Sequence, residues 1–176
     1  VEAIEGTIET IEVTVNGRLD PNYIRSRVAL GAKAPFNLNR LVDSLRLLQL
    51  NPIIDSISTE LASGVEDGSS ILNIEADIAP PLTAFAALGN NEVASVGTLG
   101  AEVGFGHNNL LGFGDSFNLV YARAEGKDAI SEANYTIPLN ARNGTLGFSF
   151  RFSDNRIVTE PFDELDIQSQ AREYEL

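Results

Sequence analysis

The feature that most constrains the fold of this chain is a change in its hydrophobic period close to Pro81. Before Pro81, segments in which apolar and polar residues alternate flank segments with apolar residues at three- and four-residue intervals, so strands and helices are mixed. After Pro81 nearly every segment alternates, which is typical of antiparallel strands joined by hairpins. We therefore predict an α+β unit over residues 1–80 and a series of β-hairpins over residues 81–176.

The first unit begins with a predicted strand followed by a short helix. Ile11, Val13 and Val15 alternate with polar residues, as in a half-buried strand, and the turn pair Asn-Gly follows them. The helix comes next, because Asp20 suits an N-cap and Pro21 suits the first helical position.

A second, more strongly amphipathic helix is predicted between Asn37, which suits its N-cap, and Pro52, before which it must end. Its apolar stripe consists of Leu38, Leu41, Val42, Leu45 and Leu48. Two strands separated by a Gly-rich turn complete the unit, which therefore has the predicted element order βααββ. Ile57, Thr59 and Leu61 fall on one face of the first of these strands, and Leu72, Ile74, Ala76 and Ile78 fall on one face of the second.

The second half alternates most clearly in "TLGFSFRF". Leu146, Phe148, Phe150 and Phe152 fall on one face, and small or polar residues fall on the other. Alternation alone does not say which face meets water, but a band of Phe and Leu opposite Gly, Ser and Thr suits a barrel with lipid outside and a polar lumen inside. Strands are expected at 82–89, 96–106, 116–124, 132–139 and 145–153, with a sixth possible in the last fifteen residues.

Composition excludes several classes of function. The formal net charge of −13 and the pI near 4.3 exclude a nucleic-acid partner, because binding to phosphate backbones depends on clustered Lys and Arg. The chain has no cysteine, so disulfides and thiolate metal sites are excluded. It also has no apolar run of about 20 residues, as a membrane-spanning helix requires.

The Gly-rich stretch "GFGHNNLLGFGDSFNL" contains the only histidine of the chain, His107. A phosphate-binding loop would need a helix after its glycines, whereas a strand is predicted here. His107 has no second histidine to share a metal, and we expect no metal, no cofactor and no catalytic residue. Asn, Gly and Asp115 instead favour a tight connection between antiparallel strands.

Two parts of the chain resemble known families. "IEVTVNGRLDPNYIRSRV" and "LNRLVDSLRLLQLNPIIDSISTELASGVEDGSSILNIEADI" resemble a polypeptide-transport-associated (POTRA) module of the kind found next to the barrel in two-partner secretion transporters. "GFGHNNLLGFGDSFNLVY" and "YTIPLNARNGTLGFSF" resemble the first hairpins of the barrel in the outer-membrane insertion porin superfamily, to which these hemolysin secretion and activation proteins belong.

The resemblance implies protein translocation across a bacterial outer membrane, with the POTRA part in the periplasm. A secreted, unfolded polypeptide would add a strand to an exposed sheet edge and pass to the barrel, and the bilayer would be the second partner. Leu41, Leu45 and Leu48 are expected in the core rather than in contact with the peptide. The residues expected at the binding edge are Ser56, Ile57, Ser58, Thr59, Glu60 and Leu61.

Two alternatives stay open. The same superfamily includes factors that insert proteins into the outer membrane, and an acidic β-rich hydrolase would use carboxylates such as Asp163, Glu164 and Asp166. Because five or six strands cannot close a barrel, we expect the chain to be a piece of a longer protein with an incomplete barrel. Such a piece would have to cover its apolar face by dimerising, by pairing strand edges or by rearranging.

Overall fold

The computed structural model describes residues 6–33, 36–66, 68–90, 99–124, 127–157, 160, 163–165 and 167–176. Contacts within the chain divide it into two compact units. The first unit comprises Val1–Pro81, Asn109–Gly114 and Pro138–Gly144, and the second comprises Leu82–Asn108, Asp115–Ile137 and Thr145–Leu176.

The first unit contains a three-stranded sheet and two helices. In chain order they are β1 (Thr7–Asn16), α1 (Pro21–Gly31), α2 (Leu38–Gln49), β2 (Ile54–Ser63) and β3 (Ser69–Ile78). The strand order is β1-β3-β2, with β1 parallel and β2 antiparallel to β3. The element order is therefore the predicted βααββ.

Both helices begin at the residues that the sequence indicates. The Asp20 carboxylate accepts a hydrogen bond from the backbone N–H of Asn22 at 2.8 Å, and Pro21 opens α1. Asn37 caps α2 in the same way, because its side-chain oxygen accepts from the amide of Asn39 at 2.9 Å. These bonds satisfy amides that have no partner inside a helix.

Asp20→Ala is expected to lower the free energy of unfolding of the first unit by about 1 kcal/mol, because the hydrogen bond from the Asn22 amide to the capping side chain is lost. Amide hydrogen exchange in β3 of the full chain measures this change. Asp20→Asn keeps the accepting oxygen and serves as the control. An alanine variant as stable as the asparagine variant would contradict the role of the cap.

The core of the first unit lies between the helices and one face of the sheet. Ile24 and Val28 of α1 are completely buried, and Leu41 of α2 lies beside them. The predicted core face of β3 is correct, since Leu72, Ile74 and Ala76 are buried while Asn73, Glu75 and Asp77 alternate with them. Among the described residues no helix has the length and hydropathy needed to cross a membrane.

The second unit is a six-stranded sheet in the order β4-β5-β6-β7-β8-β9. Its strands are β4 (Leu82–Gly89), β5 (Gly100–Asn108), β6 (Ser116–Ala124), β7 (Lys127–Pro138), β8 (Thr145–Arg156) and β9 (Gln168–Glu175). Neighbours in chain order pair, as in a series of hairpins, and β4 and β9 are the edges of the described sheet. The sheet is therefore open, as expected for an incomplete barrel.

Two predicted boundaries were wrong, and one lies outside the described residues. The prediction placed 125–131 in a connection, but β7 already begins at Lys127 because its backbone continues the antiparallel ladder with β6, where Tyr121 faces Ser131. β8 also runs on to Arg156 by pairing with β9, so the sixth strand is confirmed. Polar composition hid both extensions, since backbone pairing does not depend on side-chain polarity. Residues 96–98 of the predicted second strand of the series are outside the described part.

Candidate functional site

β2 is an edge strand of the three-stranded sheet. Among the described strands it pairs with β3 alone, so one side of its backbone is open. In a strand, alternate residues direct their N–H and C=O groups away from the neighbour, and such an edge can accept another strand. The predicted residues Ser56 to Leu61 all lie in β2, and apart from the half-buried Ile57 all are exposed.

The two faces of β2 differ. Ile57, Thr59 and Leu61 are paired with the core residues Ala76, Ile74 and Leu72 of β3, so they lie on the helix-covered face. Ser56, Ser58 and Glu60 lie on the opposite face, opposite Asp77, Glu75 and Asn73. A strand added to β2 would therefore lie beside Ile57, Thr59 and Leu61 on one face and beside Ser56, Ser58 and Glu60 on the other.

Hydrogen bonds hold the polar face at the start of β2. Ser56 Oγ donates to Asp77 Oδ2 at 2.6 Å, and Asn16 Nδ2 donates to Asp77 Oδ1 at 3.0 Å. These bonds, from Ser56 first and Asn16 second, hold the pKa of Asp77 below its usual value. The Asp77 carboxylate is thus ionised at neutral pH and links all three strands.

A β-bulge lies at the start of the candidate edge. Ile54 faces Ile78 and Ser56 faces Asp77, so Asp55 is an extra residue without its own partner in β3. Bulges bend a strand and increase its twist. The regular part of the edge therefore begins at Ser56, where the predicted site begins.

Helix α2 packs beside β2. Leu41 and Leu48 are buried and Leu45 is partly buried against the same core, so the prediction that these three leucines are core residues is confirmed. Leu47 and Leu50 are instead 65% and 80% exposed. They are exposed apolar side chains at the C-terminal end of α2 and at its C-cap, where a partner could contact them, and the sequence prediction had missed them.

The six-stranded sheet has one apolar and one polar face. Leu146 and Phe148 are 46% and 48% exposed, so the apolar residues of β8 are not sealed in a core of this chain. The apolar face continues across the sheet, because Val103 and Phe105 of β5 pair with Tyr121 and Leu119 of β6. An apolar face of this extent has to be shielded from water.

The opposite face carries ionised and small residues. Arg151 Nη2 lies 2.9 Å from Glu132 Oε2, and Arg151 Nη1 lies 3.9 Å from Glu173 Oε2. Gly104 is also on this face, under the ring of Phe85, where a Cβ would overlap the aromatic carbons. The small and polar residues that indicated a lumen therefore share one face, which also carries Phe85 and Val120.

The Gly-rich stretch forms a tight connection between β5 and β6, as predicted. Asn109 takes a φ of 73°, and Gly112 and Gly114 take φ values of 95° and 80°, which side chains rarely allow. A strand follows, so the geometry of a phosphate-binding loop is absent from this stretch.

This connection packs against α1, within the first unit. The amide of Asp20 donates to the Gly112 carbonyl at 2.8 Å, and Asn109 Nδ2 donates to the Arg18 carbonyl. Gly114 lies against the ring of Tyr23, where a Cβ would overlap it. The sequence predicted the turn but not its packing, because the partners are about ninety residues away along the chain.

The next connection, Pro138–Gly144, also belongs to the first unit. The Asn140 side chain closes the turn by accepting from the amides of Arg142 at 2.9 Å and Gly144 at 3.1 Å. Arg27 of α1 reaches it, since Nε donates to Asn143 Oδ1 at 3.3 Å and Nη2 donates to the Asn140 carbonyl at 3.4 Å. The same guanidinium stacks on Tyr23, 3.6 Å from the ring centre.

Comparison with solved structures decides the fold. BamA from Haemophilus ducreyi lacking POTRA domains 1–3 matches 96% of this chain with a TM-score of 0.77 and 13% identity, over 31% of its own chain. CdiB from Escherichia coli matches 96% with a TM-score of 0.62 and 18% identity, over 31% of its chain. This chain has the fold of the part of BamA and CdiB that it matches.

CdiB from Acinetobacter baumannii is similar to the same degree, with a TM-score of 0.62 and 18% identity over 96% of this chain and 33% of its own. The chain therefore spans about a third of the length of each of these BamA and CdiB structures. No family model matches it, and no curated protein is similar to it in sequence.

Within the described residues most of the secondary structure is antiparallel strand, two α-helices are present and the six-stranded sheet is not closed, which matches a partial barrel. The carboxylates considered for a hydrolase are only partly described. Glu164 is exposed, whereas the Asp163 side chain and Asp166 lie outside the described residues. Groups of acidic residues or histidine suited to a metal are absent from the described residues.

Proposed function

We propose that residues 1–80 are a POTRA module and that residues 81–176 are the first strands of an outer-membrane barrel. In this proposal the module lies in the periplasm, binds an unfolded secreted polypeptide and hands it to the barrel, as in two-partner secretion. The role needs no catalytic residue, metal or cofactor. Similarity of fold to CdiB supports it.

The single observation that carries the proposal is the open edge of β2 next to α2. Main-chain groups of an edge strand bind an extended peptide through the same hydrogen bonds that join strands in a sheet. Such binding depends little on the sequence of the partner, which suits an unfolded polypeptide. Ser56, Ile57, Ser58, Thr59, Glu60 and Leu61 are the proposed binding residues.

The six-stranded sheet supports a location in a membrane. Strands that cross a bilayer expose an apolar face to lipid and keep polar residues on the lumen side. Phe148 on one face and the Arg151–Glu132 pair on the other fit this division. The open edges β4 and β9 would then pair with further strands of the barrel, since unpaired backbone groups in lipid cost several kcal/mol each.

A second candidate function is the insertion of proteins into the outer membrane, where the substrate is a nascent barrel. The higher TM-score with BamA, 0.77 against 0.62 for CdiB, favours it. Depleting the protein from its own cell distinguishes the two functions. Secretion predicts the loss of one exported protein, whereas insertion predicts a broad loss of outer-membrane proteins.

Peptides that are methylated on backbone nitrogens test whether the edge of β2 binds an added strand. A ten-residue Val- and Thr-rich peptide without acidic residues matches the 10 residues of β2. We expect N-methylation of every second residue in one register to weaken its binding to the full chain at least about tenfold, because those amides would bond β2. Fluorescence anisotropy of the labelled peptide in detergent gives the dissociation constants.

The matched control is the same peptide methylated at the intervening residues, whose amides point away from β2. It should bind within about twofold of the unmodified peptide, because no hydrogen bond to β2 is lost. Equal weakening in both registers, or in neither, would remove strand addition as the mode of binding.

A further inference from the structure

The first unit has a cavity of about 370 Å³ between its two helices and the Pro138–Gly144 connection. Leu47 of α2, Leu50 at its C-cap and Leu30 of α1 form its apolar walls. Among the described residues that line it, Arg27 alone is charged. A small, largely apolar pocket with a few fixed polar groups is a common form of binding site.

Arg27 is held in place by groups other than carboxylates. Its guanidinium donates to Asn143 Oδ1, to the Asn140 carbonyl and, from Nη1 at 3.0 Å, to the Tyr23 carbonyl. Throughout the described ranges, no carboxylate lies within ion-pair distance of it. A guanidinium has more N–H donors than these three bonds use, so it can still bind an anion.

Partial burial favours such an anion. Burial lowers the pKa of Arg27, although the group stays cationic at neutral pH. A partly desolvated cation without a counter-charge binds a carboxylate more strongly than an exposed one does. In a chain with a net charge of −13, this local charge selects an acidic ligand that most of the surface would repel.

We propose that this pocket binds an apolar residue together with a neighbouring Asp or Glu side chain of the exported polypeptide. The leucine walls receive the apolar side chain, and Arg27 binds the carboxylate. The proposal rests on the proposed function, since the ligand is a segment of the polypeptide that pairs with β2. The pocket makes binding depend on the side chains of that polypeptide, which main-chain pairing alone does not do.

The pocket is continuous with the candidate edge along the chain. Asn51 and Pro52, which line the pocket, lead directly into β2 at Ile54. A strand added antiparallel to β2 runs toward its beginning, so the residues that follow the paired segment arrive at Asn51. The apolar and acidic pair is therefore expected just after the part of the polypeptide that pairs with Ser56 to Leu61.

The size of the cavity fits this ligand. About 370 Å³ lies at the lower end of the usual range for ligand pockets, enough for one large apolar side chain and an adjoining carboxylate but not for a folded segment. A side-chain carboxylate is favoured over a terminal one, because a polypeptide in transit presents internal segments.

The test uses capped dipeptides that are too short to form a strand. Acetyl-Phe-Glu-amide is titrated into the full chain in detergent micelles and followed by amide shifts of Leu47, Leu50 and Ala141 in NMR spectra. We expect it to bind about tenfold more tightly than acetyl-Phe-Gln-amide, since only the former makes a charge-assisted bond. Acetyl-Phe with a free carboxylate tests a chain terminus as the source of the anion.

Arg27→Gln should remove the tenfold higher affinity for the Glu dipeptide and leave the affinity for the Gln dipeptide unchanged. Arg27→Lys should restore part of the higher affinity for the Glu dipeptide. Arg46→Gln, which removes an exposed charge of α2 with an Asp43 partner, is the matched control and should have no effect. Leu47→Ser should weaken both dipeptides, whereas Leu38→Ser, at 56% exposure on the same helix, should weaken neither.

Several results would overturn the proposal. These are equal binding of the Glu and Gln dipeptides, equal loss of both in Arg27→Gln, or tighter binding of the free carboxylate than of the Glu side chain. If the dipeptide test fails, strand addition at β2 still stands, provided that the acid-free ten-residue peptide binds with the expected dependence on methylation. Loss of that binding alone, with the dipeptide preference kept, would instead remove the proposed function.

Discussion

Ile24→Ala is expected to lower the free energy of unfolding of the first unit by about 2–5 kcal/mol, the largest effect on stability among the changes considered. Ile24 is 0% exposed, lies at the end of the first turn of α1, and packs in the cluster that joins both helices to β3. Its removal takes away apolar contacts and leaves a cavity that a closely packed core closes only in part. Amide hydrogen exchange in Leu72 and Ile74 measures the loss within this unit.

Leu50→Ala is the matched control, because Leu50 is 80% exposed. Its effect on the same amides should stay within about 0.5 kcal/mol. If both substitutions had equal effects, the first unit would not be a packed core in solution, and the edge of β2 would lack a rigid support.

Phe148→Lys is expected to reduce binding of the chain to phospholipid vesicles by about 30- to 1,000-fold, which corresponds to about 2–4 kcal/mol for a lysine near the bilayer midplane. Phe148 lies in β8, on the exposed apolar face, away from the ends of the strand. The lysine would have to leave water for hydrocarbon. Flotation of vesicles in a density gradient measures the bound fraction and needs no tryptophan, which this chain lacks.

Ser149→Lys provides the control for that experiment. Ser149 is the next residue of β8 and lies on the face of Arg151 and Glu132, so its lysine should stay in a polar environment. Vesicle binding should change by less than about 1 kcal/mol. Equal losses for the two lysines would mean that neither face is a lipid face, and the location in a membrane would have to be abandoned.

Local rules predicted the elements of this chain well. Asp20 and Asn37 cap their helices, because a cap needs only a residue of the right type beside an amphipathic segment. The alternation of Leu72, Ile74 and Ala76 placed the core face of β3 correctly, since successive side chains of a strand point to opposite faces. The open edge of β2 required more, namely the strand order, which came from the resemblance and not from any local pattern.

Such local rules could not predict contacts between residues that are far apart along the chain. Arg27 is separated from its partner Asn143 by 116 residues, and nothing near Arg27 in the sequence shows that no described carboxylate pairs with it. The pocket between the helices was therefore invisible, although its exposed leucines, Leu47 and Leu50, could be recognised as lying outside the apolar stripe. The early start of β7 was missed for a related reason, because its polar segment is held by pairing with β6.

The first unit is discontinuous, and this sets the order in which it can be completed. A polypeptide is made from its N-terminus, so Tyr23 and Arg27 are made well before Gly114 and Asn143, which pack against them. Until then the Tyr23 ring and the Arg27 guanidinium lack these contacts, so the helical unit is complete only after the second connection has been made.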